Sequence, residues 1–176
     1  MSGSIPPTMD AVRLHSASID GLRYEQVETP RMDAGEALIE VHAAAVTRDE
    51  LEWPVDRLPA VPSYELSGIV AAVASDVATV AVGAAVYALT DFGRDGAAAA
   101  YAAVPASLLA PKPSTLDHVA SAAIPLAALS AWQGLFDHGR LEEARELDPA
   151  VPVRRTEHRD LDPLVPQPGD AAGPLT

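Results

Sequence analysis

The stretch PSYELSGIVAAVASDVATVAVGAAVYALT, residues 62–90, decides how this chain reads. It holds two short apolar runs, 66–73 and 84–89, rich in Val, Ile and Ala. Ser75-Asp76 and Gly83 punctuate the segment between them. Runs of that length bounded by turn residues predict β-strands rather than helices. Working outward, the same texture recurs at 11–14, 22–27, 37–46 and 98–104, with Asp20-Gly21, Asp33 to Gly35 and Gly93 to Gly96 as turns. Strands at such spacing predict a sandwich or a partly open barrel over residues 9–113. Only residues 48–53 interrupt the pattern, as a single helical turn ahead of Pro54. Residues 1–8, small and proline-containing, are expected to be a loose leader.

Beyond Pro113 the texture changes, and residues 114–148 are expected to be helical. Ser114 or Thr115 can cap a helix, with Asp117 in its first turn at the positive end of the dipole. Pro125 should break or kink the helix, residues 126–136 should restart it, and Gly139 should end it. Residues 149–176 carry Pro152, Pro163, Pro166, Pro168 and Pro174 among mixed charges. That composition buries too little apolar surface to offset ordering entropy, so an extended or disordered tail is expected.

The 176 residues suffice for one ordinary domain and a tail. A net charge of −13 and the lack of any Lys/Arg cluster argue against nucleic acid or anionic membrane as partners. With no cysteine, disulfides and thiolate metal sites are excluded. The longest apolar run, 122–131, is short of the ~20 residues that span a bilayer. No basic segment followed by an apolar one opens the chain, so a cytoplasmic protein is expected.

Residues 62–90 resemble the signature segment of the medium-chain dehydrogenase/reductase superfamily. There a Gly-His-Glu-like turn leads to a strand, a loop, a Val-Gly-Asp-like turn and another strand. MDAVRLHS at 9–16 is similar to that family's opening strand, and EALIEVHAAAVTRDELEW at 36–53 to its strand and first active-site turn. SAAIPLAALSAWQGLFDHGRL at 121–141 resembles the helix leading to its cofactor domain. The resemblance covers residues 9–141 and favours the zinc-independent, quinone-oxidoreductase-like branch. It implies a GroES-like irregular β-barrel, with NADPH as the family cofactor and hydride transfer to a quinone or activated double bond as the family reaction. Two turns depart from the pattern: Ala74 and Asp76 stand where glycines are usual, and Ala85 where aspartate is usual.

A dinucleotide fold needs a strand, a G-x-G-x-x-G-like turn and a helix facing the pyrophosphate. After Gly139 only Gly169 and Gly173 occur, with no apolar strand before either. The expectation is therefore a substrate domain lacking its Rossmann cofactor domain, with no tightly bound cofactor.

The resemblance also supplies candidate sites. Zinc-dependent members carry a cysteine and a histidine where this chain has Thr47 and Tyr64, neither of which is a zinc ligand. The five histidines follow no ligand spacing, so no metal is expected. Thr47 and Asp49 occupy the turn that faces nicotinamide and substrate, although Asp49 could equally cap the short turn at 50–53. Tyr64-Glu65 replaces the His-Glu pair. Glu65 could be a general base or a structural acceptor for backbone amides. Asp49, Tyr64 and Glu65 are the catalytic candidates. Thr47, Trp53, Asp91 and Arg94 are the substrate-binding ones, with Trp53 equally an ordinary core residue. Ser130 matches a position where the family carries a threonine close to nicotinamide, so Thr47 and Ser130 form the residual cofactor edge. A helical serine can equally bond back to the carbonyl four residues earlier.

The expected function is binding of a small apolar molecule in the barrel cleft, with non-redox chemistry or redox supported by a separate cofactor-binding partner. The alternative is a non-catalytic remnant or interaction module. The apolar face at 119–136 is expected to be covered by a homodimer or a partner protein, or by the chain's own tail.

Overall fold

The structure is a computed structural model that describes residues 4–47, 50 and 56–139. Seven strands are defined within them: β1 (Thr8–Leu14), β2 (Leu22–Glu28), β3 (Glu36–Ala45), β4 (Glu65–Val73), β5 (Ala85–Leu89), β6 (Tyr101–Pro105) and β7 (Ala110–Pro111). Strands β1 and β2 form an antiparallel hairpin, and the rest an antiparallel sheet in the order β6-β3-β4-β5-β7. The barrel is not closed. Isolated bridges, Ala11 to Ala99 and Leu14 to Ala60, tie the hairpin to the larger sheet.

The expected run 98–104 is split between those sheets. Ala98 accepts the Val12 amide at 2.8 Å and the Ala100 amide donates to Asp10 at 2.9 Å, both on β1. From Tyr101 onward the chain pairs with β3 instead. A continuous apolar run cannot reveal such a switch, because both halves have one face buried. The end of the supposed leader is also anchored: the Pro7 carbonyl accepts the Thr29 amide at 3.0 Å, and Pro6 accepts the Thr29 hydroxyl at 2.7 Å.

Alternation puts Val86 and Ala88 of β5, and Ala102 and Val104 of β6, on the inner face. With Ile39, Leu66 and Val70 they form the core. Leu66→Ala would cost ~2–5 kcal/mol in lost transfer and cavity energy. Two register shifts interrupt the β3–β4 ladder: Ala71 of β4 is the extra residue opposite Leu38/Ile39, and His42 of β3 is the extra residue between Val41 and Ala43.

Two helices follow. Asp117, rather than Ser114 or Thr115, caps α1 (His118–Ala122), its carboxylate accepting the Ala120 amide at 2.7 Å. A turn intervenes first, with the Leu116 amide bonded to Pro113 at 3.3 Å, so the cap falls to the first suitable side chain after it. Pro125 breaks the pattern as expected and stands at the first position of α2 (Pro125–Trp132). The helix then widens into a π turn over Gln133–His138, closed by the Gly139 amide on the Gly134 carbonyl. None of the described helices is long and apolar enough to cross a membrane. The end of the expected helical segment, residues 140–148, and the tail at 149–176 lie outside the described residues.

His118 seats α1 on the sheet. Its Nδ1 lies 2.8 Å from the hydroxyl of buried Ser67 on β4, and its ring centroid 4.6 Å from that of His42 on β3. Burial holds the His118 imidazole below its usual pKa, with His42 and Lys112 acting the same way and Asp117 opposing them.

Candidate functional site

The site is built on the turn entering β4 and the turn leaving β3. Ser63 takes a positive φ of 75°, a strained setting for a side chain with a Cβ. Its hydroxyl donates to Ala45 at 2.8 Å, while its carbonyl accepts the Ala97 amide at 2.5 Å. Gly96 makes the fit possible, since a Cβ there would fall 2.2 Å from the Ser63 carbonyl oxygen. Strain held in place by its surroundings commonly marks a functional position.

Tyr64 and Glu65 follow, both buried. The Tyr64 hydroxyl accepts from Arg57 at 2.6 Å, and the same guanidinium donates to the Phe92 carbonyl at 2.7 Å. Phe92 packs edge-on against the Tyr64 ring with centroids 5.1 Å apart. Burial raises the Tyr64 pKa, Arg57 opposes that, and nearby Glu50 and Asp95 add to it. The phenol therefore keeps its proton at neutral pH. Glu65 works toward the other side. Its Oε1 accepts the Leu126 amide at 2.8 Å, so a strand carboxylate caps α2, whose own N-cap Ile124 has no side-chain acceptor. Of the two roles expected for Glu65, the contact it makes is that of an acceptor for a backbone amide.

The spacing Thr47-x-x-Glu50 is a capping-box signature that the sequence reading passed over. Glu50 Oε2 accepts the Thr47 amide at 2.8 Å, and the Glu50 amide donates to the Thr47 carbonyl at 3.1 Å. Glu50 is 1% exposed, and among the described residues its Oε1 has no partner of hydrogen-bond geometry. Burial pushes its pKa up. The amides of Thr47, Ser63 and Tyr64 pull it down in part, and the neighbouring Glu65 pushes it up further. Glu50 thus stands between Thr47, Tyr64 and Glu65, the buried carboxylate around which the site is arranged. Asp49 and Trp53 lie outside the described residues.

Within the loop 90–96, Thr90 and Phe92 contact Tyr64, whereas Asp91 and Arg94, the expected substrate-binding residues, make other contacts. Asp91 Oδ1 accepts the Gly93 amide at 2.8 Å and so shapes its own turn. Arg94 reaches the carboxylate of Glu36, and that ion pair is the first cause holding the Glu36 pKa below the usual carboxylate value. Arg94 instead lines, with Arg13, Arg57 and Tyr101, a separate cleft of about 640 Å³ between the hairpin and the larger sheet. Arg57, missed from sequence, borders that cleft and also holds Tyr64. Ser130 lies on an exposed part of α2. Between α2 and β5 runs an apolar groove of about 270 Å³, lined by Tyr87, Leu89, Ile124, Pro125, Leu129 and Trp132. No group of three or more metal-ligating side chains is assembled among the described residues.

Residues 33–114 match the family model of the alcohol dehydrogenase GroES-like domain. The "Probable zinc-binding oxidoreductase, mitochondrial" of Arthroderma benhamiae is 35% identical over 129 residues, 71% of this chain and 39% of that protein. The "NADPH-dependent alkenal/one oxidoreductase, chloroplastic" of Arabidopsis thaliana is 34% identical over 147 residues, covering 75% of this chain and 38% of its own length. Among solved structures, an alcohol dehydrogenase superfamily protein from Novosphingobium aromaticivorans superposes with a TM-score of 0.71 at 31% identity, over 78% of this chain and 44% of that one. The chain thus spans about two-fifths of the length of the curated relatives it matches.

Proposed function

Residues 33–114 make this chain a member of the alcohol dehydrogenase GroES-like domain family, within the medium-chain dehydrogenase/reductase superfamily, and on that premise we propose that it holds a small apolar molecule on the substrate side of an oxidoreductase cleft. The supporting observation is the apolar groove between α2 and β5. Its wall at Pro125 adjoins Leu126, whose amide Glu65 grips, so the groove and the Tyr64-Glu65 turn are mechanically one unit. Glu65 is a positioning residue in this reading, while the Tyr64 hydroxyl is held by Arg57 on the other side of the turn. The site is zinc-independent: Thr47 and Tyr64 are not zinc ligands, and Arg57 donates to the Tyr64 hydroxyl.

NADPH, the cofactor in one relative's name, fits these residues only at its nicotinamide edge. Thr47 and Ser130 carry hydroxyls, but among the described residues no strand, glycine-rich turn and helix combine to cradle a pyrophosphate. Redox chemistry would depend on a nucleotide held outside the described residues, a partner chain being one source. Without one, the groove is left with non-redox chemistry.

The test uses Trp132, which lines the groove and is 59% exposed. Titration with 2-cyclohexenone, a small activated double bond, should quench tryptophan emission saturably, beyond the collisional quenching of free N-acetyltryptophanamide. The saturable part should vanish in W132F. A purely linear, collisional response would sink the reading.

The alternative, an interaction module, draws on a different observation. Val119, Leu129, Trp132 and Leu135 are 72%, 47%, 59% and 45% exposed, and the Trp132 and Phe136 rings pack 4.3 Å apart beside them. Apolar side chains clustered on a surface commonly mark an interface.

A further inference from the structure

The contact between His42 and His118 is used by nothing described so far. His118 opens α1, and its Nδ1 lies 2.8 Å from Ser67 Oγ. The Ser67 hydroxyl also donates to the Val86 carbonyl at 3.0 Å. One hydroxyl carries one proton. Both bonds are made together only if Ser67 gives its proton to Val86 and accepts from the imidazole. That assigns the ring proton to Nδ1 and leaves the lone pair on Nε2. An imidazole whose second nitrogen donates to a fixed acceptor is how proteins orient histidine ligands for a metal.

His42 supplies the second ring. It is exposed, it sits beside the β3 bulge at Val41/Ala43, and its ring centroid lies 4.6 Å from that of His118. With metal–nitrogen bonds of ~2.0–2.1 Å and ring centres ~1.1 Å behind the nitrogens, two imidazoles cis about one ion have centroids ~4.5 Å apart. The two rings already stand at that separation. They come from different elements, β3 and α1.

We propose that His42 and His118 form a two-imidazole chelate for a divalent first-row transition ion, oriented by Ser67 and open to water at its remaining positions. Among such ions Cu(II) binds nitrogen donors most strongly and accepts a tetragonal set of nitrogen and water ligands. The ion would join α1 to β3. Binding only to the folded chain, it would raise stability in proportion to its saturation.

The experiment is a Cu(II) titration of the full chain in a buffer without chelating amines, followed by electron paramagnetic resonance and by melting temperature. One copper per chain with a two-nitrogen signature and a raised melting temperature is expected. His42→Gln, an exposed change that leaves the Ser67–His118 bond in place, should reduce the signature to one nitrogen and cancel the thermal shift, with the circular dichroism unchanged. Ser67→Ala should weaken binding ~10-fold or more, as loss of an outer-sphere partner does. His15→Gln should change nothing. A two-nitrogen signature that persists in His42→Gln, or that never appears in the parent chain, would overturn the proposal.

Discussion

Gly68 lies where β4 passes close to β3: a Cβ there would come within 2.1 Å of the Glu40 carbonyl oxygen and 2.8 Å of Ile39 Cγ2. Neither neighbour is a flexible side-chain end, so Gly68→Ala should lower stability by ~1–3 kcal/mol, as overpacking does. A shift of the urea midpoint with unchanged slope would register it, and a midpoint equal to the parent's would refute the packing. The buried carboxylates act with opposite signs. Glu36, held down by Arg94, contributes stability above its ordinary value near 4.5 and loses it as pH falls through the lower folded value. Arg94→Gln should therefore cost about 1 kcal/mol at neutral pH, since Arg94 is partly solvated, and should flatten the acid limb of the stability curve. Glu50, pushed up by burial, costs stability as pH rises through its ordinary value to its folded one, so Glu50→Gln should gain stability at neutral pH and none in acid. Melting curves across pH check both signs. The Gly68 contact was not legible, because glycine in an apolar run looks the same whether it fills a tight approach or idles. Glu50, by contrast, is encoded locally by the spacing Thr47-x-x-Glu50, which a turn at 50–53 capped by Asp49 leaves aside.

At the scale of elements, α2 depends on a group sixty-one residues away, since the carboxylate capping its first turn belongs to Glu65. Glu65→Ala should lower stability by ~1 kcal/mol or more, the usual worth of an N-cap. Glu65→Gln keeps an acceptor and should lose only the charge–dipole part, ~0.3–1 kcal/mol. The reading of Glu65 as a positioning residue requires binding in the groove to fall with Glu65→Ala and largely survive in Glu65→Gln. Equal loss in both variants would instead point to the ionised carboxylate as the functional group. Strand positions were legible, because alternation and turn residues encode them locally. So was the break at Pro125, which follows from a missing amide. The π turn at Gln133–His138 was not, having no residue signature of its own. Nor was the cap, since a carboxylate so distant in sequence cannot be assigned to a helix by spacing.

At the scale of the molecule, the apolar side chains of α1, α2 and the π turn face outward without cover among the described residues. Light scattering should find a dimer or larger species, and Trp132→Lys should return it to monomer. A monomeric parent chain would argue against self-association over this face. The mostly β architecture was legible in the sequence. The strand order was not, because it rests on partners chosen across long loops. Residues 36–40 of β3 pair on one side with β4 and on the other with β6, at residues 101–105. That second pairing closes a loop of more than sixty residues, and loop entropy makes such contacts late ones in folding. Until β6 arrives, Ala37, Leu38 and Ile39 offer an open strand to any other chain that happens to be near. Recovery from denaturant should therefore fall as protein concentration rises, with aggregates seeded at β3 even though the finished fold pairs that strand on both sides.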